Sequence, residues 1–233
     1  MPEGTGIEEG TMAMTQISAR TETTDGRISV GVEDLAFRKL LGEPAWRGLA
    51  PAIHSRFGVK PLPGQTVEYA GRMTAVRASR LGQVFGHLCR LIGSPIAPYT
   101  GTDVAISVFV QRADDGDGVV WRREYFFPGR GKVVARSVKK VDGADSLLEC
   151  FAGGFTMRMR VFAEGGSLHF LSTGYFVRLG RWRLPIPALL TPGQTHVIHA
   201  DRGNGRFSFT MFVRHPLYGE TFFQDGWFRA REA

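Results

Sequence analysis

No run of this chain is long and apolar enough to form a membrane-spanning helix, and only two of its 233 residues are cysteine. Cys89 and Cys150 stand in unrelated contexts, without the paired spacing of a zinc site or the dense array of a disulfide scaffold. Both read as buried thiols in a reducing compartment. Lysine is scarce too, with five copies against 24 arginines. The formal charge of +7 therefore rests on guanidinium groups, which suit carboxylates, phosphates and aromatic faces better than ammonium does. Blocks of one charge are missing. Beyond residue 150 the arginines are spaced singly along strand-like runs, as outward partners of inward apolar residues, so no nucleic-acid partner is expected. The opening residues carry Glu3, Glu8 and Glu9 and no apolar core, unlike a secretory leader. The expected location is the cytoplasm, extending to peripheral attachment at a membrane.

What is present is a core. The hydrophobic fraction is 43%, and 17 of the residues are Phe, which marks a globular chain. Residues 1–30 are rich in Thr, Gly and Glu without an apolar pattern, and are expected to be a poorly ordered tail. Residues 31–233 are expected to be one barrel-like domain. Leu35, Phe37, Leu40 and Leu41 mark a short helix stopped at Gly42, with Pro44 after it, and residues 49–57 a second. The best helical pattern follows Ser79 as N-cap: Leu81, Val84, Phe85, Leu88 and Ile92 lie on one face, and Gly93 with Pro95 end it. Gly82 and Gly86 inside it point to a close approach by another backbone.

Most of the rest reads with a period of two. Val104, Ile106, Val108 and Val110 alternate with polar or small residues, the Asp and Gly residues of 114–118 form a turn, and Trp-Arg-Arg-Glu-Tyr-Phe-Phe at 121–127 returns. Further alternating runs occupy residues 155–161, 168–179, 207–213 and 221–229. Short strands at regular spacing with Gly-rich turns predict a mainly β fold: a strongly curved antiparallel sheet or up-and-down β-barrel, with one packed amphipathic helix and two short N-terminal helices. The Pro-rich stretch 184–193 reads as an apolar loop over a barrel mouth.

Four segments carry a family resemblance: Phe-Arg-Lys-Leu-Leu-Gly at 37–42, Trp-Arg-Arg at 121–123, Leu-Pro-Ile-Pro at 184–187, and Arg-Phe-Ser-Phe at 206–209 followed by His-Pro-Leu-Tyr-Gly and Asp-Gly-Trp-Phe. In this order they resemble the bacterial domain-of-unknown-function family DUF4166, over residues 35–228. That family is often found after the dehydrogenase part of saccharopine-dehydrogenase-like proteins. The resemblance implies no agreed activity, and no Gly-x-Gly-x-x-Gly nucleotide fold precedes it here.

The strand faces supply the candidate chemistry. Side chains alternate across a strand, so Trp121, Arg123, Tyr125 and Phe127 share one face, taken as the cavity wall, and Arg122 and Glu124 share the other. His169, Thr173 and Tyr175 share a face by the same rule. Arg123, Tyr125, His169 and Tyr175 are the candidate catalytic groups. Trp121, Phe127, Phe207, Phe209, Met211 and Trp227 are the expected pocket lining. Arg181, Trp182, Arg183, Leu184 and Ile186 form a candidate lid or surface-binding loop, where arginine alternates with apolar residues. His196 and His199 fall on opposite faces of a strand, which argues against a metal site. No cofactor is expected.

Two functions fit these residues. In the first, the barrel holds an apolar or polycyclic small molecule and promotes its cyclisation, isomerisation or rearrangement. In the second it is a non-catalytic accessory module that binds lipid, a membrane surface or a partner oxidoreductase.

Overall fold

The computed structural model describes residues 36–93 and 96–231, together with Asp34 and the backbone at 23–24, 27–28 and 32–33. The tail expected at 1–30 falls almost wholly outside the described residues. Eleven strands form one antiparallel sheet. They are β1 (Thr66–Ala78), β2 (Gly101–Arg112), β3 (Val119–Phe126), β4 (Val133–Asp142), β5 (Ser146–Cys150), β6 (Phe155–Glu164), β7 (Ser167–Leu179), β8 (Trp182–Ile186), β9 (Gln194–Gly203), β10 (Arg206–His215) and β11 (Gly219–Ala230).

Ten of these close into an up-and-down barrel: each strand from β1 to β7 pairs with the next, β7 pairs with β9, and β11 returns to β1. Closure leaves no exposed edge along those ten strands. The alternation read from the sequence becomes an inside and an outside. Ile106, Val108 and Val110 stand opposite Tyr125, Arg123 and Trp121, and all six are directed into the barrel.

Three short helices plug one end: α1 (Ala36–Leu41), α2 (Glu43–Arg47) and α3 (Pro51–Phe57). The sequence predicted two. In place of a stop that Pro44 merely follows, Gly42 turns the chain at φ 75° and Pro44 enters the first turn of α2, where a missing N–H costs nothing. α3 buries Ile53 and Phe57 against the inner wall, and the Phe57 ring packs 5.1 Å from Phe37 and 5.8 Å from Phe170.

At the opposite end lies α4 (Arg80–Leu88), continued by a 3-10 turn at Cys89–Ile92. Ser79 caps it, its Oγ accepting from the Gly82 amide at 3.1 Å. A Cβ on Gly82 would overlap the Thr221 carbonyl, and one on Gly86 would lie 2.7 Å from Pro98, so both glycines mark the close approach that the sequence suggested. Pressed down in this way, α4 leaves Val84, Leu88 and Leu91 exposed beside the opening. No helix among the described residues is long and apolar enough to cross a membrane.

The wall is irregular at β7. Met159 pairs with Ser172 and Arg158 with Gly174, so Thr173 is bulged out. Below the bulge β7 pairs with β9; above it, residues 175–179 pair with β8, which folds back as a flap. The stretch expected as a plain loop therefore begins as an edge strand, which tolerates Pro185, before a 3-10 turn at Ala188–Leu190.

Candidate functional site

Between the plug and α4 the barrel encloses a cavity of about 390 Å³. Its walls are largely hydrocarbon and aromatic: Met157, Met159, Phe170, Val197, Phe209, Met211, Val213 and Phe228 all face it. Phe85, Leu88 and Leu91 from the α4 end, with Ile186, Leu190 and Pro192 after the flap, border its open side. These mouth residues remain apolar where they meet solvent, Leu91 being 82% exposed and Leu190 69%.

The polar groups concentrate on three consecutive strands. Lys139 on β4 stands directly opposite Glu149 on β5, Nζ to Oε2 2.8 Å. Arg123 on β3 approaches Oε1 of the same carboxylate at 3.3 Å, and the Ser137 hydroxyl donates to that oxygen at 2.6 Å. Burial alone would raise the Glu149 carboxyl; Lys139 and Arg123, with hydrogen bonds from Lys139 and Ser137, outweigh it and hold it at about 2. Glu149 is therefore a fixed anion rather than a proton donor. Burial lowers Lys139, and Glu149 opposes that shift.

A third cation enters from the plug. Arg56 of α3 lies over the rings of Phe207 at 3.8 Å, Tyr69 at 4.3 Å and Trp121 at 5.1 Å. Its Nε and Nη1 atoms are sealed from solvent without a hydrogen-bond partner among the described residues. Burial, with Arg123 nearby, lowers its guanidinium to about 10, so it is charged at neutral pH. Aromatic faces contribute about 2 kcal/mol each to a desolvated cation, against several kcal/mol for removing it from water.

His199 of β9 is the imidazole facing the cavity, in contact with Phe57 at 5.0 Å and Phe209 at 5.2 Å between ring centroids. Burial, then Arg56 and Lys139, push it well below its ordinary value, so it is neutral, and its Nδ1 has no partner among the described residues. Tyr125 donates its phenol hydrogen to Gln224 Oε1 at 3.2 Å, and burial raises its pKa. Tyr175 donates to the Gly193 carbonyl at 2.8 Å and meets Thr195 Oγ1 at 2.9 Å, which bridges the parting between β7 and β9. Burial pushes it up to about 12.

The residues singled out from the sequence are therefore distributed unevenly. Trp121, Arg123, Tyr125, Tyr175, Phe209, Met211 and Ile186 line the cavity. Phe207 is buried beneath the Arg56 guanidinium, and Phe127 backs Tyr125 with centroids 6.0 Å apart. Arg122 and Lys132 pair with Glu124 on the other face.

Two expectations are corrected. His169 was placed on the face of Tyr175, but the Thr173 bulge reverses the alternation between them. His169 lies outside, stacked on Phe162 and 3.1 Å from His196. Trp227 was placed in the lining, yet on β11 the inward positions are Gln224 and Phe228, so Trp227 packs outside under Arg206. On the flap, Arg183 forms a bidentate pair with Asp142 at 2.7 and 2.9 Å, Trp182 is 62% exposed beneath Arg181, and Leu184 is exposed.

Arg56, Lys139, Glu149, His199 and Gln224 were not foreseen. Lys139 and Glu149 are spaced by two from Ser137 and Leu147, which puts them on the inward face once those neighbours are buried. Arg56 had no local signal at all.

The family model described as Domain of unknown function (DUF4166) matches residues 49–228, well over half of the chain. The chain belongs to this family. The segment at 37–42 lies outside the matched residues. No curated protein matches the chain. Among solved structures, a crystal structure of a mutant of the fluorescent protein UnaG is similar at 11% identity, covering 70% of this chain and 95% of that one. Its TM-score is 0.30, too low to carry an argument.

Proposed function

We propose that this DUF4166 chain binds a largely apolar small molecule inside its barrel and serves a proton-transfer rearrangement of it, an isomerisation or a cyclisation. The observation that carries the reading is the cavity of about 390 Å³, walled by Met, Phe and Val and reached past an apolar rim, with a few convergent polar groups at its inner end. Hydrocarbon walls exclude water and impose a shape on a flexible ligand, which is the contribution a small barrel makes to such reactions. Two groups suit the proton steps. The neutral His199 imidazole accepts, through an Nδ1 that nothing else occupies among the described residues, and the Tyr125 phenol, which gives its hydrogen to Gln224, donates only on turning that hydrogen to the ligand. Native mass spectrometry of the protein purified from its own host tests the binding. A retained mass lost on replacing Met159 and Met211 by larger side chains supports it; a clean apo mass under gentle conditions counts against it.

One observation favours a second reading, the accessory module. Leu88, Leu91, Leu189, Leu190 and Trp182 are exposed, with Arg178 at the end of β7 and Arg181 in the turn before the flap, both exposed. Such a rim suits a lipid surface or a partner protein. Sedimentation with anionic liposomes, abolished by Arg181→Ala with Trp182→Ala, distinguishes this reading from retention of a ligand alone.

A further inference from the structure

The cavity is not electrically balanced. Arg56, Arg123 and Lys139 face it, and the carboxylate that faces it with them is Glu149, so the formal surplus is two positive charges while His199 is neutral. Glu149 is shared among three neighbours: Oε1 accepts from Ser137 and Arg123, and Oε2 meets Lys139. No hydrogen bond joins it to Arg56 among the described residues. The Arg56 guanidinium finds ring faces instead, and its Nε and Nη1 are sealed without a hydrogen bond among the described residues. Arg56 is half-buried, and a cation whose Nε and Nη1 meet ring faces instead of acceptors is incompletely compensated, because those faces do not replace the hydrogen bonds these two atoms lose to water. The charge is also placed asymmetrically. Arg56, Lys139 and Trp121 sit toward the plug, whereas the lining contributed by α4, its 3-10 turn and residues 186–192 is uncharged.

We infer that the ligand is an amphipathic anion, whose single carboxylate or phosphate head lies at Arg56 and Arg123 and whose apolar body runs toward α4. A guanidinium is a strong donor to such a head, and an anion there would give the orphaned nitrogens an acceptor and lower the charge surplus, by one charge for a carboxylate and by up to about two for a phosphate monoester. His199, whose Nδ1 is also unpartnered among the described residues, faces the same inner end, against Phe57 of the plug. The inference rests on the cavity being a binding site, and it names the chemical class that the site selects.

The test uses the full chain loaded with the fluorescent probe 1-anilinonaphthalene-8-sulfonate and challenged with four competitors of matched chain length: dodecanoate, dodecyl phosphate, dodecanol and dodecylammonium. Both anions are expected to displace the probe at concentrations at least about tenfold below dodecanol, the factor a charge-assisted hydrogen bond supplies, with dodecylammonium weakest. The tighter of the two anions identifies the head. Arg56→Met should erase the preference over dodecanol while leaving dodecanol itself unchanged, and should raise the melting temperature of the unliganded protein by removing a poorly compensated charge. Arg56→Lys, which keeps the charge but not the fork, should retain only part of the preference. If Arg56→Met fails to fold, the wild-type series still decides. Equal displacement by dodecanoate and dodecanol overturns the anionic head and leaves the apolar cavity standing; displacement by none of the four overturns both.

Discussion

Lys139 and Glu149 face each other across neighbouring strands inside the barrel, Nζ 2.8 Å from Oε2, where a surface pair would ordinarily be found outside. The two are part of a chain of partners, since Glu149 also takes Ser137 and Arg123. A charge pair in this position is held by reciprocity, because either member alone would be an uncompensated buried ion.

Replacing Glu149 by Gln is therefore expected to destabilise the protein by about 3–5 kcal/mol, since Lys139 and Arg123 lose their shared carboxylate. The midpoint of urea unfolding measures it, and a loss below about 1 kcal/mol would show that solvent or another group already compensates the cations. The pH dependence has a definite sign. The folded carboxyl sits near 2, below its ordinary 4.5, so its stabilising contribution is complete above 4.5 and disappears as pH falls toward 2.

His199 gives a second pH window. Its folded-state value lies well below 6.5, so the unfolded chain binds a proton there that the native protein does not. Stability is expected to fall as pH drops from 6.5, by about 1.4 kcal/mol per pH unit for this group alone. His199→Phe should flatten the slope of unfolding free energy between pH 6.5 and 5 relative to wild type. An unchanged slope would mean that the imidazole is solvated.

Gly82→Ala sets two effects against each other. Alanine favours a helix over glycine by about 1 kcal/mol. The added Cβ, however, would strike the Thr221 carbonyl, which is backbone and has little room to move. Overpacking of that kind costs about 1–3 kcal/mol, so a net lowering of the melting temperature is expected. Calorimetry that found a higher melting temperature would show α4 to be loosely seated.

Tyr175→Phe removes the hydroxyl that joins β7 to Gly193 and Thr195 where the two strands part. The expected cost is about 1 kcal/mol in stability. Amide exchange should quicken at Thr195, whose N–H is donated to Ser172 Oγ at 2.8 Å in the same seam. Exchange confined to the flap instead would separate the seam from the tyrosine.

A period of two was enough to determine the strands, their turns and the shared face of Trp121, Arg123 and Tyr125, because side-chain alternation is a local property of extended backbone. Ser79 and the two glycines of α4 were legible for the same reason: a cap and a missing Cβ leave their mark within a few residues. The same rule misplaces His169, because the one extra residue at Thr173 inverts every face beyond it, and Gly174 beside it is the local residue that accompanies the bulge. The candidate site itself was decided by the tertiary structure. Barrel closure brings Arg123, Lys139 and Glu149 from three strands into one interior, and the α3 plug adds Arg56 from a segment about 70 residues away. Sequence determined which residues could face inward; only closure, by removing the interior from water, determined that those charges must answer one another, with Lys139 and Arg123 sharing Glu149 and Arg56 left to ring faces.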